Sequence, residues 1–394
     1  MFSVRVESSL AAPRFTSLPP LALYVHIPWC IRKCPYCDFN SHAQKGDLPE
    51  ARYVEALLAD LESSLPLVWG RKLSSIFFGG GTPSLFSPAS IDAILAGVRA
   101  RIPVLPFAEI TLEANPGTFE AQKFADLRSA GINRLSIGIQ SFDAKHLAAL
   151  GRVHDGNEAR RAVEIGLATF DNVNLDVMYA LPRQTTDEAR SDVAIALSYA
   201  PQHLSLYHLT LEPNTLFAKY PPPLPDDDAA ADMQDMIEAA LGAAGYVHYE
   251  TSAYAQPGRE CRHNRNYWEF GDYLGIGAGA HGKISSAHRI LRQVRLKQPQ
   301  QYLDAIAASG AALLEERDVG RSDVGFEFML NAMRLTDGVP VALFQERTGF
   351  PLTVIEPALR EAEAKGLLAR DHLRIAPTPL GRRFLNDLQQ VFLG

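Results

Sequence analysis

The chain has 394 residues, 47% of them hydrophobic and 21% charged, which is ample apolar sequence for a packed core and predicts two or three domains. Its net charge of −7 gives no overall attraction for nucleic acid. No apolar run reaches the roughly 18–20 residues of a membrane span, and four cysteines are too few for a disulfide-stapled secreted scaffold.

Residues 1–20 lack the long apolar core of a signal peptide. With two arginines and one glutamate they read as a loose N-terminal tail. Residues 21–27, an apolar run between Pro20 and Pro28, predict a buried first strand, and a cysteine-bearing loop follows it. Residues 50–65 predict a helix with Tyr53, Leu57, Leu58 and Leu61 on one face. Strands are then predicted at 75–78, 109–113, 134–139, 173–178 and 203–209. Helices follow each of them in turn, at 91–102, 119–130, 158–169, 187–199 and 226–244, the second stopped by Gly131. Six strand–helix units, mostly about 30 residues apart, imply a parallel sheet covered by helices. Six fall short of the eight of a closed barrel. The expected fold over 21–245 is therefore α/β, a partial (β/α)6 barrel with its ligands after the strand ends.

The rhythm changes at 246. Residues 246–320 read as a linking region with a strand at 290–296 and a helix at 301–308. Residues 321–394 predict helices at 322–333, 341–348 and 353–365, a hairpin from 366 to 375, and a helix at 380–392. This is a C-terminal, mainly helical, winged-helix-like domain. Its nine basic and nine acidic residues form no basic stripe, so it reads as a packing domain or lid rather than a DNA reader.

Three of the four cysteines, Cys30, Cys34 and Cys37, fall within eight residues. A disulfide cannot absorb three thiols. A closed zinc site wants four ligands, which only His26 or His42 could complete here. Thiolates in one short loop suit an iron–sulfur cluster, and three of them on a [4Fe–4S] cubane leave one iron open to a small molecule. Strand ends supply further polar groups: Gly79-Gly80-Gly81-Thr82, where glycines let backbone approach a ligand; Glu113, a carboxylate that needs a partner if buried; and Gln140, Arg152 and Asp176. Farther on, His263-Asn264-Arg265-Asn266-Tyr267-Trp268 sets an imidazole beside two flat aromatics, a combination that can meet a macrocycle and its iron. Cys261 and His281 are alternative iron ligands.

The spacing C-x3-C-x2-C, with Tyr36 before the last cysteine, resembles the radical S-adenosylmethionine superfamily. The longer phrase from Tyr24 to His42 is similar to the group that holds the oxygen-independent coproporphyrinogen III dehydrogenase and related haem chaperones. The resemblance covers the chain from Leu21 onward and implies the same partial barrel. It implies a [4Fe–4S] cluster on Cys30, Cys34 and Cys37 whose open iron chelates S-adenosylmethionine, which the reduced cluster can cleave to a 5′-deoxyadenosyl radical. It also implies a cofactor site of Tyr24, Tyr36, Gly80, Gly81, Thr82, Glu113, Gln140, Arg152 and Asp176. There the glycine loop would take the amino group and Arg152 the carboxylate. Glu113 or Asp176 would take the ribose hydroxyls or the sulfonium side, and Tyr36 the adenine.

Two features split that group. The dehydrogenase carries a further cysteine two residues after the third; here Phe39 stands there, as in the chaperone branch. HNRNYW resembles the HNxxYW motif of the chaperones, with His263, Tyr267 and Trp268 as haem-binding candidates. The first reading is thus a haem chaperone that carries haem as cargo to acceptor haemoproteins, membrane respiratory enzymes among them. It would be cytoplasmic with peripheral membrane association, would bind no nucleic acid, and would form a homodimer. The second is the enzyme, performing radical oxidative decarboxylation of propionates.

Overall fold

The computed structural model describes residues 12–118 and 120–393. Six parallel strands form its centre: β1 (Leu21–Ile27), β2 (Leu73–Gly80), β3 (Val104–Ala114), β4 (Arg134–Gln140), β5 (Val173–Tyr179) and β6 (His203–His208). Every residue of β1 is buried except Tyr24, which is half-buried. That is the pattern of a strand covered on both faces and explains the unbroken apolar run in the sequence. Helices cover the outside, among them Glu50–Ser64, Pro88–Arg101, Ala121–Ala130, Gly156–Thr169, Thr186–Ser198 and Asp227–Ala243. Two of them open with reciprocal capping boxes, Asp155 with Glu158 and Thr185 with Glu188, which satisfy amide donors that have no partner within the helix. The Ala121–Ala130 helix ends at Gly131, whose φ of 118° suits only glycine. Phe119, the first residue of the helix predicted there, lies outside the described residues.

The sheet is wider than the sequence suggests. Beyond β6 it continues through a hairpin of β7 (Val247–Glu250) and β8 (Ala253–Ala255). On the other side β9 (Asp272–Ile276) lies parallel to β1 and leads into antiparallel β10 (His281–Ser286), β11 (Arg289–Arg295) and β12 (Leu313–Asp318). The twelve-strand order is β12-β11-β10-β9-β1-β2-β3-β4-β5-β6-β8-β7. Residues 246–320 are thus a structural part of the sheet, not only a link. Buried ion pairs fasten them: Asp272 with Lys283 at 3.0 Å and Arg71 at 2.7 Å, and Asp60 with Arg295 at 2.9 Å.

The C-terminal unit packs helices Arg321–Ala332, Val341–Thr348 and Glu356–Ala364 against a three-stranded sheet of Val339–Pro340, Leu368–Arg370 and Arg374–Pro377. The single helix predicted at 380–392 is two, Pro379–Arg383 and Leu385–Gln390, broken at Phe384. Its core of Phe328, Phe344, Phe350, Leu359 and Ile375 is continuous with Tyr249 and Phe270 of the preceding region. Of the expected tail, residues 1–11 lie outside the described residues. Residues 12–20 are a strap: the Arg14 amide donates to Gly349 O at 2.8 Å, Phe15 packs on the C-terminal core, and Pro20 O accepts from the Asp272 amide at 2.9 Å. Among the described residues no helix is long and apolar enough to cross a membrane.

Candidate cluster and ligand site

The cysteine loop leaves the C-terminal end of β1 and is tied back at both ends. The His42 amide donates to Pro28 O at 2.7 Å and the Gln44 amide to Cys30 O at 2.8 Å. From inside the loop, Asn40 reaches across and donates to Ala278 O and Lys297 O, both at 2.9 Å. Next to it stands the glycine turn after β2. The Gly81 amide donates to Ile27 O at 2.8 Å and the Thr82 amide to Trp29 O at 2.7 Å. Gly80 has a φ of 113°, and a Cβ there would strike the His26 ring. Only glycine lets this turn lie against the loop.

Cys30, Cys34 and Cys37 are free thiols of intermediate exposure around a cavity of about 150 Å³. Tyr36, Gly80, Gly81, Thr82, Glu113, Gln140, Arg152 and Asp176 line the same cavity. The strand ends that the sequence singled out therefore converge on the three cysteines. Tyr24 does not line this space; it faces the adjoining larger cavities. The donor set fits an iron–sulfur group. Burial pushes the Cys30 and Cys37 thiols up, a cost of forming thiolates that a cationic metal group would offset. No three His, Cys, Asp or Glu side chains among the described residues close on one point as ligands of a single ion would. His26, one of the two candidates for completing a zinc set, has both ring nitrogens engaged, at 3.0 Å to Tyr24 OH and 2.9 Å to Asn40 O.

A polar chain links the turn to the loop. Asn115 Nδ2 donates to Thr82 Oγ1 at 2.7 Å; Arg152 Nη2 donates to Asn115 Oδ1 at 2.6 Å and Gly138 O at 2.7 Å, and Nη1 lies 3.8 Å from Cys34 Sγ. Asn115 was not among the residues picked from sequence, although its place at the end of β3, two residues after Glu113, is a signal. Gln140 ends β4 with a φ of 68°, where the β4–β5 register shifts. Glu113 accepts from the Gly80 amide at 3.2 Å. Burial, with Asp176 nearby, pushes it up to about 8. Asp176 is also raised by burial, and it accepts from Ser136 at 3.1 Å and Asn174 at 2.8 Å. Two carboxyls at the barrel centre, both resisting ionisation without a ligand, suit a cation placed between them.

Two larger cavities, of about 570 and 690 Å³, adjoin the cysteine loop and share Tyr24, Phe39, Glu113, Tyr267 and Trp268 as walls. The HNRNYW run forms the helix Arg262–Trp268. Its Tyr267 and Trp268 line both spaces, and Trp268 Nε1 is buried without a hydrogen-bond partner. His263 is buried and stacks on Phe77 at 4.9 Å; its Nδ1 lies 2.9 Å from Ser75 Oγ and its Nε2 2.9 Å from Tyr267 OH. To ligate iron it would have to give up one of these bonds. Burial pushes it down to about 3, so it stays neutral. Cys261 is fully buried beside Glu109, with its thiol pushed up to about 12, and lines neither of these two cavities. His281 is exposed on the rim of the larger cavity.

Comparison with known proteins agrees with this geometry. Residues 24–194 match the model of the radical SAM superfamily, and residues 320–384 that of the HemN C-terminal domain. The chain is 50% identical over 383 residues to the haem chaperone HemW of Escherichia coli, covering 95% of this chain and 99% of that one. It belongs to the HemW family. The HemW of Haemophilus influenzae is 48% identical over 385 residues, covering 95% of this chain and 98% of its own length. Among solved structures, the radical SAM enzyme coproporphyrinogen III oxidase, HemN, of Escherichia coli superposes with a TM-score of 0.81 at 23% identity. That match covers 95% of this chain and 90% of the other. At this identity it shows the fold: a HemW-family chain shares the barrel and C-terminal unit of HemN.

Proposed function

We propose that the protein is a haem chaperone that carries a [4Fe–4S] cluster on Cys30, Cys34 and Cys37, binds S-adenosylmethionine, and hands haem to acceptor haemoproteins. The observation that carries this reading is the continuity of the site. Three cysteines that no fourth His, Cys, Asp or Glu joins among the described residues adjoin cavities walled by Phe39, Tyr267 and Trp268, in a chain half identical to a relative named a haem chaperone. When bound, the cluster supplies an open iron for the amino and carboxylate groups of S-adenosylmethionine. Around it the Gly80–Thr82 turn, whose amides are spent within the protein, offers backbone carbonyls to the amino group, Arg152 offers a guanidinium suited to a carboxylate, and Glu113 and Asp176 would face the cationic side. Gln140 completes the surround, Tyr24 faces the adjoining cavities, and Tyr36, packed on Phe217 at 6.3 Å, presents a ring for adenine. Tyr267 and Trp268 offer flat apolar faces to a macrocycle. His263 holds Tyr267 in place and, with the exposed His281, is a candidate for iron. The chaperone would work in the cytoplasm, as a homodimer, with membrane respiratory enzymes among its acceptors.

The alternative is radical decarboxylation of coproporphyrinogen III, favoured by the HemN-like fold and opposed by Phe39 in place of cysteine. One experiment separates them. The protein is reconstituted anaerobically and given S-adenosylmethionine, a reductant and coproporphyrinogen III; a parallel sample is titrated with haem and mixed with an apo-haemoprotein. We expect haem binding and transfer without protoporphyrinogen. Robust protoporphyrinogen formation would overturn the chaperone reading.

A further inference from the structure

The larger cavity has a floor and a rim of opposite character. Its floor is aromatic, formed by Tyr267, Trp268, Phe270 and Tyr273. Four cationic residues other than histidine line it: Lys33, Lys283, Arg292 and Lys297. Lys283 is spent on Asp272 at 3.0 Å, and Arg292 on Glu327 at 2.7 Å and on Tyr273 OH at 2.6 Å. The other two, Lys33 and Lys297, are exposed at the mouth.

 With two of them paired, Lys33 and Lys297 remain, and neither forms an ion pair with a carboxylate among the described residues; Lys33 Nζ donates only to Phe39 O, at 3.0 Å. They come from segments far apart in sequence and are brought to one rim by Asn40, whose amide donates to Ala278 O and Lys297 O. Phe39, 62% exposed, stands beside them. His281 on the same rim is lowered by partial burial and by Lys297, so it adds no charge at neutral pH. Asp38, exposed, also lines this cavity and opposes an anion; Glu113 is the other carboxyl of the lining.

We infer that Lys33 and Lys297 form a carboxylate-receiving rim that holds the two propionates of the haem, with the apolar edge of the macrocycle pointing inward. This rests on the haem reading above and adds an orientation to it. A porphyrin of this kind is a flat apolar ring with two carboxylates on one edge. Its faces suit the aromatic floor, and its carboxylates suit two ammonium groups that have no other anion to neutralise.

The test uses the cluster-loaded protein under anaerobic conditions, titrated by absorbance with haem and, separately, with haem dimethyl ester, which lacks the charges. Wild type is expected to bind the ester roughly 3- to 10-fold more weakly, as two exposed ion pairs would give, and added salt should narrow the gap. The Lys33→Met, Lys297→Met double variant should bind both forms alike. Its iron and sulfide content is checked first; if Lys33→Met disturbs the cluster, Lys297→Met alone decides, with a smaller loss of discrimination expected. Equal binding of haem and ester by wild type would overturn the rim while leaving haem binding intact. Discrimination that survives in the variants would overturn the assignment to these lysines. Binding of neither form by wild type would overturn the haem reading and the rim with it.

Discussion

Glu113 shows what a single buried carboxyl does at the barrel centre. In the native protein it holds its proton up to about pH 8, because burial and then Asp176 disfavour the charge, against an ordinary value of 4.5. Between those values the native state binds more protons than the unfolded state. The residue's contribution to stability is therefore complete below about 4.5 and is lost as pH rises through 8, at a slope of at most about 1.4 kcal/mol per pH unit. Glu113→Gln should flatten that dependence. Thermal unfolding without ligand should show the variant gaining on wild type between pH 5 and 8.5, and a constant gap would contradict it. His263 makes a different argument. With both nitrogens bonded and its ring against Phe77, His263→Ala should cost about 2–4 kcal/mol through lost packing and the unpaired Ser75 and Tyr267 hydroxyls, measured by denaturant unfolding. Haem affinity and transfer that stayed unchanged in this variant would remove His263 from the haem site.

At the scale of elements, the central strands were legible in the sequence because they are buried on both faces and end in conspicuous residues: the glycine turn, Glu113, Gln140. The outer strands were not. β12 is Leu-Leu-Glu-Glu-Arg-Asp, exposed throughout, and is a strand only because β11 offers it a ladder. β9 contains Gly275 and owes its place to β1 and to the buried Asp272. Tertiary pairing overrides local propensity in both. Contacts such as Asn40 with Ala278 and Lys297 join distant segments and leave no local signature, which is why the staple on the cysteine loop was not foreseen. That staple can be tested. Gly279 has a φ of 82°, and a Cβ there would strike the Asn40 amide. Gly279→Ala should therefore destabilise the protein by roughly 1–3 kcal/mol and loosen the loop, seen as faster loss of iron to a chelator. The Cys30→Ala, Cys34→Ala, Cys37→Ala triple variant sets the limit: it should hold no cluster absorbance, and full iron and sulfide content would defeat the ligand assignment.

Across the whole molecule, the C-terminal unit reaches the cavity walls through Asn331 and Arg334, and Arg334 makes the contact with an aromatic wall. Arg334 follows the helix Arg321–Ala332, and its guanidinium lies 4.3 Å from the centre of the Trp268 ring and 3.3 Å from Glu250, whose side chain is 4% exposed. The neighbouring backbone docks on the edge of the sheet: the Thr251 amide donates to Arg334 O at 3.0 Å and the Thr336 amide to Tyr249 O at 3.1 Å. The C-terminal unit therefore has a physical attachment to the wall of the cavity. Arg334→Ala would remove the cation from Trp268 and leave Glu250 buried without its partner. Breaking a buried pair costs about 3–5 kcal/mol; with Arg334 itself 29% exposed, water can replace part of the loss, and roughly 1–3 kcal/mol is expected. Arg334→Lys keeps the charge but not the planar contact and should recover part of it. Tryptophan emission should change in Arg334→Ala, since the indole loses the group stacked on it. If stability and emission both matched wild type, the C-terminal unit would not be coupled to the cavity through this residue, and the strap of residues 12–20, with Arg14 on Gly349 and Phe15 in the C-terminal core, would be left as the stronger connection between the two.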